Sequence, residues 1–267
     1  MIRCENLHVT FNRGLPTEKL ALRGVDLSIP AGQFVTVIGS NGAGKSTLLN
    51  TIAGDISVTK GHIYFGDRDV TKWPATKRTK DIARVFQDPL AGTCGNLTVE
   101  ENMSLAYGRG KRGTLSLALN HKLRDVFREQ LSRLNLGLED RLDSEMGLLS
   151  GGQRQSVSLL MSALQPSSIL LLDEHTAALD PKTAALIMDI SSQIIEEKHL
   201  TVMMVTHSMR QALDHGSRTV MLHEGDIIFD LEGKERANYQ VNDLLNLFAQ
   251  ARTDGQELDD DKLLLGG

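Results

Sequence analysis

The chain has 267 residues, 40% hydrophobic and 24% charged, with a formal net charge of −5 at pH 7. That length and composition suit a soluble globular protein with a sizeable core, and the acidic balance argues against a nucleic-acid binder, which needs a general attraction for phosphates. The only two cysteines, Cys4 and Cys94, have no metal-ligand spacing and make no disulfide framework, so reduced thiols in a cytosol are expected.

Residues 2–11 alternate, with Ile2, Cys4, Leu7, Val9 and Phe11 apolar. A loop at Asn12-Arg13-Gly14-Leu15-Pro16 leads to a second strand-like run, Leu20 to Ile29, so antiparallel strands open the chain. The apolar run Phe34 to Ile38 enters a Gly-rich loop, and Leu48 to Ala53 leaves it. Short strands are expected at His62–Phe65 and Ile82–Phe86. From 88 to 165 the spacing turns helical, at Val99–Ala106, His121–Leu136 and Gly151–Leu164. Ile169–Leu172 is apolar on both faces, as in a buried parallel strand. Helix and strand then alternate: helix Pro181–Glu197, strand Thr201–Thr206, helix Met209–Leu213, strands Thr219–Leu222 and Ile227–Leu231, and a last helix near Asn238–Ala251. An acidic end, Asp254 to Lys262, is expected to fray. The N-terminal residues lack the apolar middle of a signal peptide, and no apolar run approaches the ~18 residues of a membrane span. Any membrane role must come through a partner.

The loop is Gly39-Ser40-Asn41-Gly42-Ala43-Gly44-Lys45-Ser46-Thr47. Gly, four residues, then Gly-Lys-Ser between a strand and a helix is the phosphate-loop pattern. Glycines let the backbone N–H groups converge into an anion nest, and the following helix adds its positive end. Lys45 reaches the terminal phosphates and the Ser46 hydroxyl ligates magnesium. The pattern implies a nucleoside triphosphate. Ile169-Leu170-Leu171-Leu172-Asp173-Glu174 places Asp173 at the carboxyl end of a strand, where ligands of open α/β sheets sit. Asp173 suits magnesium, and Glu174 suits a base that polarises the attacking water. Leu149-Ser150-Gly151-Gly152-Gln153 precedes a helical run. By itself it fits a simple N-cap as well as a second anion-binding helix terminus.

Together these motifs resemble the ATP-binding subunit of an ATP-binding cassette (ABC) transporter, along nearly the full chain and in the family's order. Gly39 to Ser46 resembles the Walker A loop, Ile169 to Asp173 the Walker B strand and Ser150-Gly151-Gly152-Gln153 the signature. Gln87 matches the Q-loop glutamine, Asp180 the D-loop aspartate and His207 the switch histidine. The resemblance implies an α/β P-loop NTPase of ABC type: a mixed sheet core, an antiparallel β subdomain and an inserted helical subdomain. The expected divisions are 1–87 (β subdomain and first part of the core), 88–165 (helical subdomain), 166–252 (second part of the core) and 253–267 (acidic tail).

The resemblance also implies a mechanism with ATP and Mg²⁺ as cofactors. Two copies lie head to tail, each ATP held between one copy's Walker A and the other's signature, so Ser150 and Gly152 contact the γ-phosphate across the interface. Gln87 senses that phosphate and the magnesium, and His207 hydrogen-bonds the phosphate or the water. Phe11 either stacks on adenine or ends its strand in the core. The family usually has proline after the catalytic acid, whereas here His175 follows; it is a tolerated loop variant or a group that tunes Glu174 with pH.

The family's ATPase subunit works at the cytoplasmic face of the membrane, bound to separate permease subunits and, through the complex, to an extracytoplasmic solute-binding protein. Details look most like bacterial importers of small organic solutes such as amino acids. The alternatives are an exporter, a lipoprotein-extraction ATPase, or a soluble cassette on nucleic acid or ribosome. The single cassette and the lack of a long heptad run between Gln87 and Ser150 oppose the soluble reading. A groove lined by Pro89, Leu90, Leu97 and Val99 is expected to receive an apolar permease helix. The basic run Arg109-Gly110-Lys111-Arg112-Gly113 is a solvated loop or a contact for lipid headgroups or nucleic acid.

Overall fold

The structure, a computed structural model, describes residues 1–109 and 121–251. The rest of the basic run after Arg109 and the acidic tail lie outside these residues. The chain divides into two compact units, residues 1–78 with 200 onward, and residues 79–199.

The first unit begins with β1 (Ile2–Phe11) and β2 (Lys19–Ile29), followed by β3 (Phe34–Ile38), α1 (Lys45–Ala53), β4 (Lys60–Phe65), β5 (Arg68–Asp69) and α2 (Ala75–Arg78). An antiparallel sheet forms in the order β2-β1-β4-β5. The uneven apolar spacing of β1 is explained by a bulge. Its register shifts between Cys4 and Leu7, with Asn6 at φ 47°. The extra residue returns Leu7 to the buried face with Ile2, Cys4 and Val9,. Burial in that apolar face pushes the Cys4 thiol up to about 12,.

The second unit holds β6 (Ile82–Val85), α3 (Val99–Tyr107), α4 (His121–Ser132), α5 (Gly151–Ala163), β7 (Ile169–Asp173) and α6 (Pro181–Lys198). Strands β6 and β7 pair in parallel, Ile82 opposite Ile169 and Val85 opposite Leu172. Every residue of β7 is buried, as a strand covered on both faces requires. α3 and α5 each start in a full capping box, Thr98 with Glu101 and Ser150 with Gln153, at the starts that their apolar spacing led us to expect. Two short 3₁₀ turns, Leu138–Asp140 and Met146–Leu148, carry too few residues for a periodic signal.

The chain then returns to the first unit with β8 (Thr201–Val205), α7 (Met209–Asp214), β9 (Arg218–His223), β10 (Asp226–Glu232), α8 (Gly233–Ala237) and α9 (Val241–Ala251). β3 is parallel to both β8 and β9, and β10 is antiparallel to β9. This is the mixed part of the α/β architecture. Leu244 and Phe248 of α9 complete a core with Ile38, Met209 and Met221.

One buried charge ties the first unit together. Arg78 is 2% exposed, and its guanidinium donates to the carbonyls of Thr51 and Ile52 in the last turn of α1, at 2.8 and 2.7 Å, and to those of Thr71 and Trp73. Cations favour helix C-termini, and a fork of N–H donors serves several carbonyls at once. Arg78→Ala removes the guanidinium donor from all four carbonyls, of which Thr51 keeps the Gly54 N–H. The expected loss is about 3 kcal/mol of unfolding free energy, read as a lower urea midpoint.

Candidate functional site

In the first unit the phosphate loop joins β3 to α1, and its shape depends on glycines with positive φ. Gly39 and Gly44 stand at φ 144° and 103°. A Cβ on Gly39 would strike the Leu222 carbonyl, and one on Gly44 would come to 2.7 Å from the Ala21 carbonyl. No side chain caps α1, so no capping side chain competes with an anion for its first N–H groups. Lys45 is 5% exposed, and its Nζ donates to the Gly39 and Ser40 carbonyls at 2.7 and 3.0 Å. Ala43 and Gly44 are buried, while Asn41, Gly42 and Ser46 are exposed and Ser40 and Thr47 half-buried.

Two further predicted residues share this unit. Phe11 is 37% exposed, which removes the core alternative. It pairs with Lys19 across β1 and β2, and Lys19 Nζ lies 4.0 Å from where a Cβ on Gly42 would stand. The turn end of that hairpin therefore lies beside the phosphate loop. His207 follows β8, whose Val205 stands opposite Val37 of β3. Parallel neighbours deliver His207 and the phosphate loop at the same, carboxyl, edge of the sheet. Ser208 caps α7 immediately afterwards, which makes the turn at His207 short.

In the second unit the parallel register of β6 and β7 does the same for two other motifs. Gln87 and Glu174 each lie two residues beyond the Val85–Leu172 pair, and Gln87 Nε2 donates to Glu174 Oε2 at 3.2 Å. Arg84 Nη2 donates to Asp173 Oδ2 at 2.9 Å, both side chains about a tenth exposed. Sequence reasoning passed over Arg84. Its signal was a lone charge inside the apolar run Ile82-Ala83-Arg84-Val85-Phe86. Glu174 stands in left-handed backbone conformation, φ 43°, and His175 turns inward at 2% exposure.

The signature is a helix N-terminus built as an exposed cap. Ser150 Oγ accepts from the Gln153 N–H at 3.2 Å, and Gln153 Oε1 accepts from the Ser150 N–H at 3.2 Å. A capping hydroxyl accepts through a lone pair, and its own hydrogen can still be donated. Arg154 donates to the Met146, Gly147 and Leu149 carbonyls, bracing the approach to the cap. Gly151 lies near Leu179, and a Cβ on Gly152 would collide with Thr183 Cγ2. The second glycine is therefore required by packing against α6. Asp180 caps α6 through Thr183 N at 3.1 Å. The hydrogen bonds from Thr183 hold its carboxyl below the usual carboxylate range.

The family model described as ABC transporter matches residues 22–177. The chain belongs to the ABC transporter family. It is an ABC ATP-binding cassette, and ATP hydrolysis is its activity. It is 43% identical over 251 residues to a tyrosine transport ATP-binding protein of Clostridioides difficile (strain R20291), covering 94% of this chain and 100% of the relative. It is 36% identical over 207 residues to the thiamine import ATP-binding protein ThiQ of Yersinia pseudotuberculosis serotype I (strain IP32953), covering 77% and 82%. A solved dimeric cassette in a post-hydrolysis state, bound to ADP and Pi, matches at TM-score 0.76 and 30% identity, covering 87% of this chain and 98% of its own.

The cassette departs from expectation at the predicted groove. Val99 is fully buried, because the capping box at Thr98 turns the first residue of α3 inward and its N–H bonds to the Ser144 carbonyl. It cannot line a docking surface. A groove of about 440 Å³ lies nearly two turns further along α3, lined by Phe86, Leu105, Ala106 and Met161 with Arg84 and Arg109,. Leu105 is 60% exposed there. Arg109 is pinned by its donation to the Ser162 and Gln165 carbonyls, so at least this end of the basic run is anchored.

Proposed function

We propose that this cassette is the ATPase subunit of a bacterial importer for an amino acid, working as a head-to-tail pair on the cytoplasmic face of the membrane. The observation that carries the importer reading is 43% identity to a tyrosine transport ATP-binding protein across 94% of the chain. Among the described residues no helix is long and apolar enough to cross a membrane. The chain therefore works through permease subunits, which an extracytoplasmic solute-binding protein supplies with solute.

The proposed roles follow from the local chemistry. The main-chain N–H groups of residues 39–47, with Lys45, hold the β- and γ-phosphates, and Phe11 stacks on adenine. Magnesium would find a hydroxyl ligand in Ser46 of the first unit and oxygen ligands in Asp173 and Gln87 of the second. Hydroxyl and carboxylate oxygens are the hard donors this ion prefers. A set this small fits an ion that keeps its waters and takes substrate phosphates as ligands. Magnesium supplies charge neutralisation on the transferring phosphoryl group. Arg84 fixes the orientation of the Asp173 carboxylate. Glu174, oriented by Gln87, takes a proton from the attacking water, and His207 hydrogen-bonds the water or γ-phosphate. Ser150, Gly151, Gly152 and Gln153, with Asp180 beside them, close over the nucleotide of the second copy. The functional divisions we propose are 1–87 and 166–252 for the nucleotide-binding core and 88–165 for the helical subdomain.

The permease contact is assigned to the groove beside Leu105. Charge placed there, as in Leu105→Glu, is expected to abolish uptake while basal hydrolysis persists, because the groove holds none of the phosphate-binding residues. Loss of both, or of neither, removes the assignment. The importer reading is tested by purifying the tagged chain from detergent-solubilised membranes of its host. A permease should co-purify, and deletion of the gene should stop uptake of radiolabelled amino acids. An intact uptake profile for every amino acid refutes the substrate class.

A further inference from the structure

The turn after β7 holds an acid in an unfavourable backbone region. Glu174 stands at φ 43°, and for a residue with a Cβ such a conformation persists only where its surroundings over-determine it. Its carbonyl accepts from Ala177 N at 3.0 Å, which closes the turn without setting the direction of the Glu174 side chain. The next residue supplies a second constraint. His175 is 2% exposed, and its Nε2 lies 3.2 Å from Ser191 Oγ on α6. Ser191 is fully buried, and its Oγ lies 2.8 Å from the Ile187 carbonyl. A carbonyl only accepts, so the single hydroxyl hydrogen of Ser191 goes to Ile187. Ser191 Oγ therefore accepts from His175, and the ring hydrogen is on Nε2. Proline at this position would have no such donor, and it would push Glu174 toward extended conformations.

We propose that His175 is a positioning residue for the catalytic carboxylate: its imidazole, bolted through Nε2–H to Ser191 of α6, holds Glu174 in the left-handed turn and aims it toward Gln87. The proposal rests on the reading of Glu174 as the base. It gives the departure from the family's usual proline a mechanical role, in which α6 carries the orientation of the acid.

The test is steady-state ATP hydrolysis by the purified full chain, with ATP affinity and thermal midpoint measured alongside. His175→Leu keeps the volume and removes the donor. It is expected to lower kcat by ~10- to 100-fold, the range for a misaimed catalytic group. KM for ATP should stay within about twofold, because the phosphate loop makes the uniform binding contacts. His175→Gln, whose amide replaces Nε2–H, should restore kcat to within about threefold of the parent, and Ser191→Ala should reproduce the leucine defect. Placed on Glu174→Gln, His175→Leu should cost nothing further, since both act through one carboxylate. Wild-type kcat in His175→Leu, equal losses in the Leu and Gln variants, or additive losses on Glu174→Gln each overturn the proposal. If the leucine variant fails to fold, the Gln and Ser191→Ala pair decides alone: an unchanged kcat in Ser191→Ala then overturns it. Undiminished turnover of Glu174→Gln by itself removes the base assignment, and this proposal with it.

Discussion

Glu174→Gln is expected to lower ATP turnover by ~10²–10⁴-fold, the contribution of a positioned general base. The substitution keeps the side chain's size and its ability to accept from Gln87 through the remaining carbonyl oxygen. It removes only the carboxylate proposed to take the proton. Nucleotide binding should survive, because the phosphate loop lies on separate residues. With ATP present the variant should accumulate as a pair, visible by size-exclusion chromatography or light scattering, since closure precedes cleavage in the proposed cycle. Turnover at the parental rate would refute Glu174 as the base. A variant that stays monomeric with saturating ATP would sink the paired mechanism even if turnover fell.

Lys45→Ala should act at the opposite end of the cycle. The buried ammonium donates to the Gly39 and Ser40 carbonyls, and in the proposed reading it also holds phosphate oxygens. A hydrogen bond to a charged group contributes about 1.5–3 kcal/mol, so ATP should bind ~10- to 100-fold more weakly. Titration calorimetry reads this directly. The ligand-induced rise in melting temperature should shrink in parallel, because stabilisation by a ligand follows its concentration over its dissociation constant. Affinity within twofold of the parent would place the phosphate grip elsewhere.

Contiguous features were legible from residues alone. The phosphate loop needs nine neighbouring residues, and the glycines that bend it are visible as letters. Helices α3 and α5 were expected from their apolar spacing and α6 from Pro181, and each begins at a cap, Thr98, Ser150 or Asp180, that closes within three residues. β7 was recognisable because four apolar residues before an acid leave few other readings. The short α2 and α8 escaped notice, each having five residues or fewer, too few for a helical period. The last helix was expected from Asn238, whereas α9 begins at Val241.

Errors and omissions cluster where a side chain's direction depends on distant chain. Val99 carries the same letters whether it faces a groove or a core, and a local cap turned it inward. Arg84 reads as an anomaly until β6 pairs with β7 and brings it to Asp173, 89 positions away. The same register joins Gln87 to Glu174 across 87 positions. His175 could be read as an indifferent loop residue until Ser191 of α6 was found 3.2 Å from its ring.

What the sequence determined by itself was the chemical inventory: a nest for phosphate, an acid pair ending a buried strand, a capped signature helix, and the family these imply. Each rests on backbone geometry and hydrogen bonds closed within a few residues, which local letters specify. The tertiary structure decided which side chains meet, which acid is paired with an arginine, and which histidine points inward. Those outcomes depend on strand register and helix packing, where residues far apart in the chain compete for the same buried volume.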